Sequence, residues 1–195
     1  MQDHKLIDKL VYPRCLLLND FDYDICEFNA SEIRNQKQIK DQISEINIFP
    51  ESEDAKTDKA QLSFKREKDG TWRVIDYLVG KESRLVDEEK WQQLLPIVKG
   101  PDGVDVAVHK VRDRDYSQWG IGDNSAAVEI RFQNTTEQGT KYTDGSLLLI
   151  GDLEPGGEAY YGKSAEEGIT QPVLLFPKIW VETLLGIYDD IPYAQ

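Results

Sequence analysis

The residues whose types and spacing could do chemistry lie early in the chain. Asp20, Asp22 and Asp24 alternate as the first three oxygen ligands of an EF-hand calcium loop do. The pattern stops there, because the sixth position, which needs glycine, is Ile25 and the twelfth, which needs a bidentate glutamate, is Ser31. This acidic run reads as a solvated turn with Phe21 or Tyr23 packed inward. Cys15 and Cys26 have ten residues between them and apolar or acidic neighbours, which do little to lower a thiol pKa. Two states stay open for them: buried small hydrophobes, or a disulfide that would require an oxidising compartment. His4 and His109 are the only histidines, so a mechanism built on a histidine pair or a histidine-rich metal site is nearly excluded. No cofactor and no metal site is expected.

The familiar catalytic signatures are missing as well. The chain has no G-x-S-x-G elbow, no phosphate-binding Gly-Lys-Ser/Thr loop, no Cys-x-x-Cys pair and no H-E-x-x-H helix. Carboxylates are abundant, and a carboxylate-based hydrolase is the enzyme alternative that a pocket with two acids roughly 5–10 Å apart beside exposed aromatics would revive. Most of these carboxylates read as solvated surface groups. The residues with the best claim to a binding role are aromatic: Tyr160 and Tyr161 on one predicted strand, with Tyr142 before it, form a candidate contact surface. Tyrosines simply packing across a sheet are the plainer alternative.

The elements that would carry these residues are most legible over 145–188. The apolar run at 147–150 and the segment 159–163 flank a turn-rich stretch at 152–157, which predicts an antiparallel hairpin. A further strand is expected over 171–176. Pro177 suits the first position of a helix whose Trp180, Leu184 and Ile187 share one face. The same plan appears earlier. Residues 60–74 alternate around Lys68-Asp69-Gly70, a strong hairpin signal, and a helix follows with Asp87-Glu88-Glu89 at its N-terminus and Trp91, Leu94, Leu95 and Val98 on its buried face. Pro96 is expected to end or kink that helix near Leu95. Superposing Trp91 on Trp180 brings Val86 onto Leu175 and Leu95 onto Leu184, the pattern a structural duplication would leave.

Elsewhere, Asn29 and Glu32 have capping-box spacing before a helix expected to reach about Gln42. The stretch 44–49 then looks like the start of a strand, and 50–59 reads as a charged loop. Gly and Pro at 100–103 mark the best candidate boundary between lobes, Val104, Val106 and Val108 alternate into a strand, and His109 reads as a surface residue. Tyr116, Trp119 and Ile121 suggest a buried turn anchored by Gly120, ahead of a strand in which Val128, Ile130 and Phe132 share a face. A polar loop is expected over 133–145. The fold expectation is therefore α+β: mostly antiparallel sheet with two to three covering helices, arranged as two similar β-β-α lobes. Its divisions are an N-terminal extension with one helix (1–44), a first lobe (45–100) and a second lobe (101–195), with one continuous domain as the alternative.

Bulk properties bound the partners. With 195 residues the chain is long enough for a real core, and 39% hydrophobic with 30% charged residues is ordinary globular composition. The formal net charge of −13 opposes binding to nucleic acid or to anionic membrane surfaces. No apolar run approaches the roughly 20 residues needed to cross a bilayer, and residues 1–10 do not resemble a signal peptide.

The order LSFKREKDGTWRVID, VDEEKWQQLL, DYSQWGIGDNSAAVEIRF, GSLLLIGDLEPGGEAYYGK and PVLLFPKIWVETLL resembles the bacterial family catalogued as domain of unknown function 4340 over roughly residues 45–188. The matching features are Trp72 after a Gly turn, Tyr116 with Gly120-Ile121, Gly151, and Tyr160-Tyr161. The resemblance implies an α+β domain tethered outside a bacterial membrane and associated with ABC-type transport systems. It implies protein partners, transporter subunits among them, and carries over no catalytic residues. It also implies an N-terminal anchor that this chain lacks, so the extracytoplasmic, membrane-tethered location is expected of the full-length protein. A soluble cytoplasmic acidic partner module is the alternative.

Overall fold

The structure, a computed structural model, describes residues 43–51, 61–111, 115–135, 141–165 and 171–194. The aspartate run, both cysteines, His4 and the capping-box helix lie outside the described residues, as does most of the expected loop at 50–59.

Alternating patterns become strands wherever the sequence sets a period of two. β1 (Ile43–Phe49), β2 (Leu62–Arg66), β3 (Trp72–Asp76) and β4 (Ser83–Leu85) form an antiparallel meander that leads into α1 (Glu88–Val98). After β5 (Asp105–Val108), a second meander of β6 (Ala126–Thr135), β7 (Lys141–Leu153), β8 (Ala159–Ser164) and β9 (Val173–Pro177) leads into α2 (Lys178–Gly186). All these strands join one sheet in the order β4-β3-β2-β1-β6-β7-β8-β9-β5, and every neighbouring pair is antiparallel. The α+β, mostly antiparallel expectation holds at that level.

The order is symmetric about the β1/β6 pairing. Outward from it run β2-β3-β4 on one side and β7-β8-β9 on the other, and each meander ends in a helix. The segment after each helix then crosses to the outermost strand of the other meander: β5 pairs with β9, and Tyr193 bridges Val86 next to β4. Hydrogen bonding continues through the sheet centre, where Ile46 faces Ile130 and Ile48 faces Val128.

Both helices pack on one face of the sheet and touch each other. The face beneath them is lined by Ile46, Ile48, Phe64, Val74, Val128, Ile130, Leu148 and Phe176, all buried. Each helix drives a tryptophan into this layer. Trp91 stacks on Phe64 with centroids 4.5 Å apart and meets Trp72 at 5.2 Å; Trp180 meets Phe176 edge-on at 5.1 Å. Gly162 leaves room for that arrangement, since a Cβ there would run into the Phe176 ring.

Local differences from the sequence expectations have physical reasons. Pro96 lies inside α1 and does not end it, because the helix still closes beyond it through Lys99 N donating to Leu95 O at 3.2 Å and buries Val98. Pro177 is the N-cap of α2, one position earlier than expected. The stretch 133–145 is strand at both ends, because ladder pairing runs on from Phe132↔Asp144 to Thr135↔Lys141 although the side chains are polar.

Truncating either anchor should leave a large cavity. Trp91→Ala and Trp180→Ala are each expected to lower stability by about 3–5 kcal/mol in urea unfolding, whereas Ile179→Ala, on the exposed side of α2, should change it by less than about 0.5 kcal/mol.

Candidate functional site

The three tyrosines singled out from the sequence do not gather on one surface. Tyr160 and Tyr161 are neighbours on β8, so their side chains leave opposite faces of the sheet. Tyr160 packs against the main core and Tyr161 against a smaller cluster on the other face. Tyr142 lies far along β7, with its backbone opposite Asn134.

The smaller cluster forms where residues 108–111 and 115–121 pack over β7, β8 and β9. Tyr116, Ile121, Val111 and Val173 are buried there, with Trp119 and Leu149 packed around them. The Tyr116 hydroxyl donates to Gln171 O at 2.8 Å and accepts from Gln171 N at 2.9 Å, which ties the turn to the start of β9. The Lys163 ammonium stands 5.0 Å from the Tyr116 ring centroid, and burial pushes its pKa below the ordinary lysine range. Gly120 turns the chain with φ 67°, and Gly151 gives the Trp119 carbonyl space to approach. This cluster is a structural clasp.

Across β2, β1 and β6 the same face carries polar side chains. Arg131 meets Glu129 at 2.9 Å and Glu45 at 3.6 Å; Asn47 donates to Glu129 at 2.8 Å and Ser63 to Glu45 at 3.4 Å. The hydrogen bond from Arg131 to Glu129, with the charges of Glu129 and Glu45, raises the guanidinium pKa further. The two carboxylates thus share one cation and sit in register on adjacent strands, Glu45 opposite Arg131 and Asn47 opposite Glu129. Among the described residues no group of three or more His, Cys, Asp or Glu side chains could hold a metal ion.

A more distinctive surface lies at the β4 end of the sheet, and the sequence reading passed over it. The turn from β3 to β4 projects Tyr77, Leu78 and Val79, which are 40, 64 and 80% exposed, and Leu85 on β4 is 46% exposed. Seven large apolar side chains are exposed among the described residues, and three of them, Tyr77, Leu78 and Val79, are consecutive in this turn, while Leu85 lies opposite Arg73 farther along β4. Asp76 holds the turn: its carboxylate accepts from Leu78 N at 2.9 Å, from Val79 N at 3.3 Å and from the Tyr193 hydroxyl at 3.3 Å. Burial, with the Asp76 charge beside it, pushes the Tyr193 phenol up, so it stays a donor. Arg84 lies over the Tyr193 ring at 5.0 Å. A cleft of about 370 Å³ runs alongside, lined by Asp76, Val79, Gly80, Lys81, Glu82, Arg84 and Tyr193. Its charged lining is balanced, with Lys81 and Arg84 against Asp76 and Glu82, in a chain whose net charge is −13. The available signal was the apolar triplet Tyr77-Leu78-Val79 between Asp76 and Gly80, where a polar turn would be the norm.

Such an arrangement can bind through apolar contact, backbone hydrogen bonds and a few oriented charges. Asp76→Ala should cost about 1–3 kcal/mol, read from chemical unfolding, because it removes the acceptor of three hydrogen bonds. Gly151→Ala should cost a similar 1–3 kcal/mol by forcing the turn off β7, roughly the penalty of overpacking, while Gly122→Ala, in open space, should be near neutral. No family model matches the chain, and comparison with curated proteins and with solved structures likewise finds no match.

Proposed function

We propose that this chain is a non-catalytic binding or accessory domain of a bacterial envelope-associated, ABC-transport-like assembly, and that it contacts its partner through the β3–β4 corner. The observation that carries the binding role is the run Tyr77-Leu78-Val79, three consecutive apolar side chains exposed on the turn from β3 to β4. Single exposed apolar residues need no explanation, but a contiguous group beside a cleft on an otherwise acidic protein is the mark of an interaction site. The turn is held by the Asp76 hydrogen bonds, so it presents these side chains at low entropic cost.

The assembly is suggested by the resemblance described above, in which Trp72, Tyr116, Gly120-Ile121, Gly151 and Tyr160-Tyr161 match the family pattern. Those residues support the fold from within and contribute nothing to the corner. Among the described residues no helix is long and apolar enough to cross a membrane.

A photo-crosslinking amino acid at Val79 of the full-length protein, in its native cells, tests this function. The expected outcome is protein in the membrane fraction and an adduct with an ABC-type transporter subunit, with no such adduct from Ile179 on α2, which is also exposed. Cytosolic protein whose corner crosslinks only to soluble proteins would replace this function with that of a soluble acidic partner module.

A further inference from the structure

A second cleft lies at the other end of β3 from the exposed turn, between the β2–β3 hairpin and α1. Its volume of about 280 Å³ places it at the small end of ligand sites, which run to roughly 300–1,000 Å³. Local structure puts it there. The turn between β2 and β3, in which Thr71 N donates to Asp69 Oδ1 at 2.9 Å, sets Arg66 directly opposite Trp72 at the hairpin end. On α1, Glu88, Gln92, Leu95 and Lys99 recur at spacings of four, three and four, so one stripe of the helix lines the cleft while Trp91 turns to the core.

The lining divides by chemistry. Ile43 and Trp72, both buried, form an apolar floor, and Leu95 with Pro96 forms an apolar wall. Arg66 and Lys99 are half-buried cations at the same cleft. Glu88 is its one carboxylate, exposed and accepting from Gln92 Nε2 at 2.6 Å. Two cations against one anion give the lining a net charge of +1, on a chain whose net charge is −13. Positive charge between low-dielectric walls draws an anion to this spot on an otherwise anion-repelling surface. Glu88 stands eleven positions from Lys99, about 16 Å along the helix, so negative charge is favoured at one end of the α1 wall only.

We infer that this cleft binds a small monocarboxylate with an apolar body. The carboxylate meets Lys99 and Arg66, whose planar fork of N–H donors can serve several acceptors, and the body lies against Trp72, Leu95 and Pro96. A second negative charge on the ligand meets Glu88 and is disfavoured. The site is separate from the β3–β4 corner and stands whether or not that corner contacts a transporter subunit.

The probe is 4-phenylbutyrate, titrated into the full ¹⁵N-labelled chain. Saturable shifts of the Gly70, Trp72 and Lys99 amides are expected, with a Kd on the order of 0.1–1 mM. The neutral 4-phenylbutyramide and the dicarboxylate 4-(4-carboxyphenyl)butyrate should each bind about tenfold more weakly. Arg66→Gln should weaken binding of 4-phenylbutyrate about tenfold. Lys65→Gln removes the same charge from the next residue, which is exposed on the opposite face of the sheet, and should leave the Kd within about twofold. If Arg66→Gln disturbs the spectrum throughout, Lys99→Gln supplies the same comparison. No saturable shift at these three amides, equal affinity for the amide, or an equal loss in Lys65→Gln would overturn the assignment.

Discussion

Everything in this fold is arranged around the antiparallel pairing of β1 with β6. Ile46 and Ile48 face Ile130 and Val128 across that junction, all four are buried, and their side chains form the floor on which both helices rest. Because strand pairing fixes which face each side chain takes, a slip of one residue here would turn this apolar floor to solvent and bring Glu45, Asn47 and Glu129 into the core. The polar ladder on the far face reinforces the same register, since Arg131 can meet Glu45 and Glu129 together only when the strands are aligned as they are. Core and surface therefore specify one alignment by independent means.

From this junction the two meanders run outward and repeat the same solution. Each ends in a helix that inserts a tryptophan beside an aromatic strand residue, Phe64 for Trp91 and Phe176 for Trp180, and both indoles are fully buried. The reciprocal crossing of the post-helix segments binds the halves together. It also explains why the two sheet ends differ, since β5 is a strand of four residues whereas the C-terminal segment makes one bridge. The Tyr188 hydroxyl donating to Ile48 O at 2.9 Å fastens that segment to the central strand, and burial raises its pKa far above the ordinary range.

Much of this was legible beforehand, for reasons that can be stated. The Asp69-Gly70 turn, the alternation in 126–132 and the spacing of Trp180, Leu184 and Ile187 are local patterns, and local patterns determine elements. What escaped was non-local. No short-range signal states that β1 pairs with β6, or that β5 crosses to β9, because those choices depend on residues roughly 65 to 90 positions apart. The tyrosine pair drew attention by composition, yet β-strand geometry sends Tyr160 and Tyr161 to opposite faces. The apolar turn at Tyr77-Leu78-Val79 was overlooked because it reads as a continuation of β3, until Asp76 is seen to close the turn before it.

The central claim, that a single sheet with one core couples the two halves, is tested most directly by unfolding with a reporter in each. Two variants keep either Trp91 or Trp180 as their only tryptophan, with the others replaced by phenylalanine, and are unfolded in urea while fluorescence and far-UV circular dichroism are recorded. The account predicts that, within each variant, fluorescence and dichroism give one coincident transition with the same midpoint and slope. Separate transitions, with the indole signal of one half lost while the dichroism of the other persists, would contradict it.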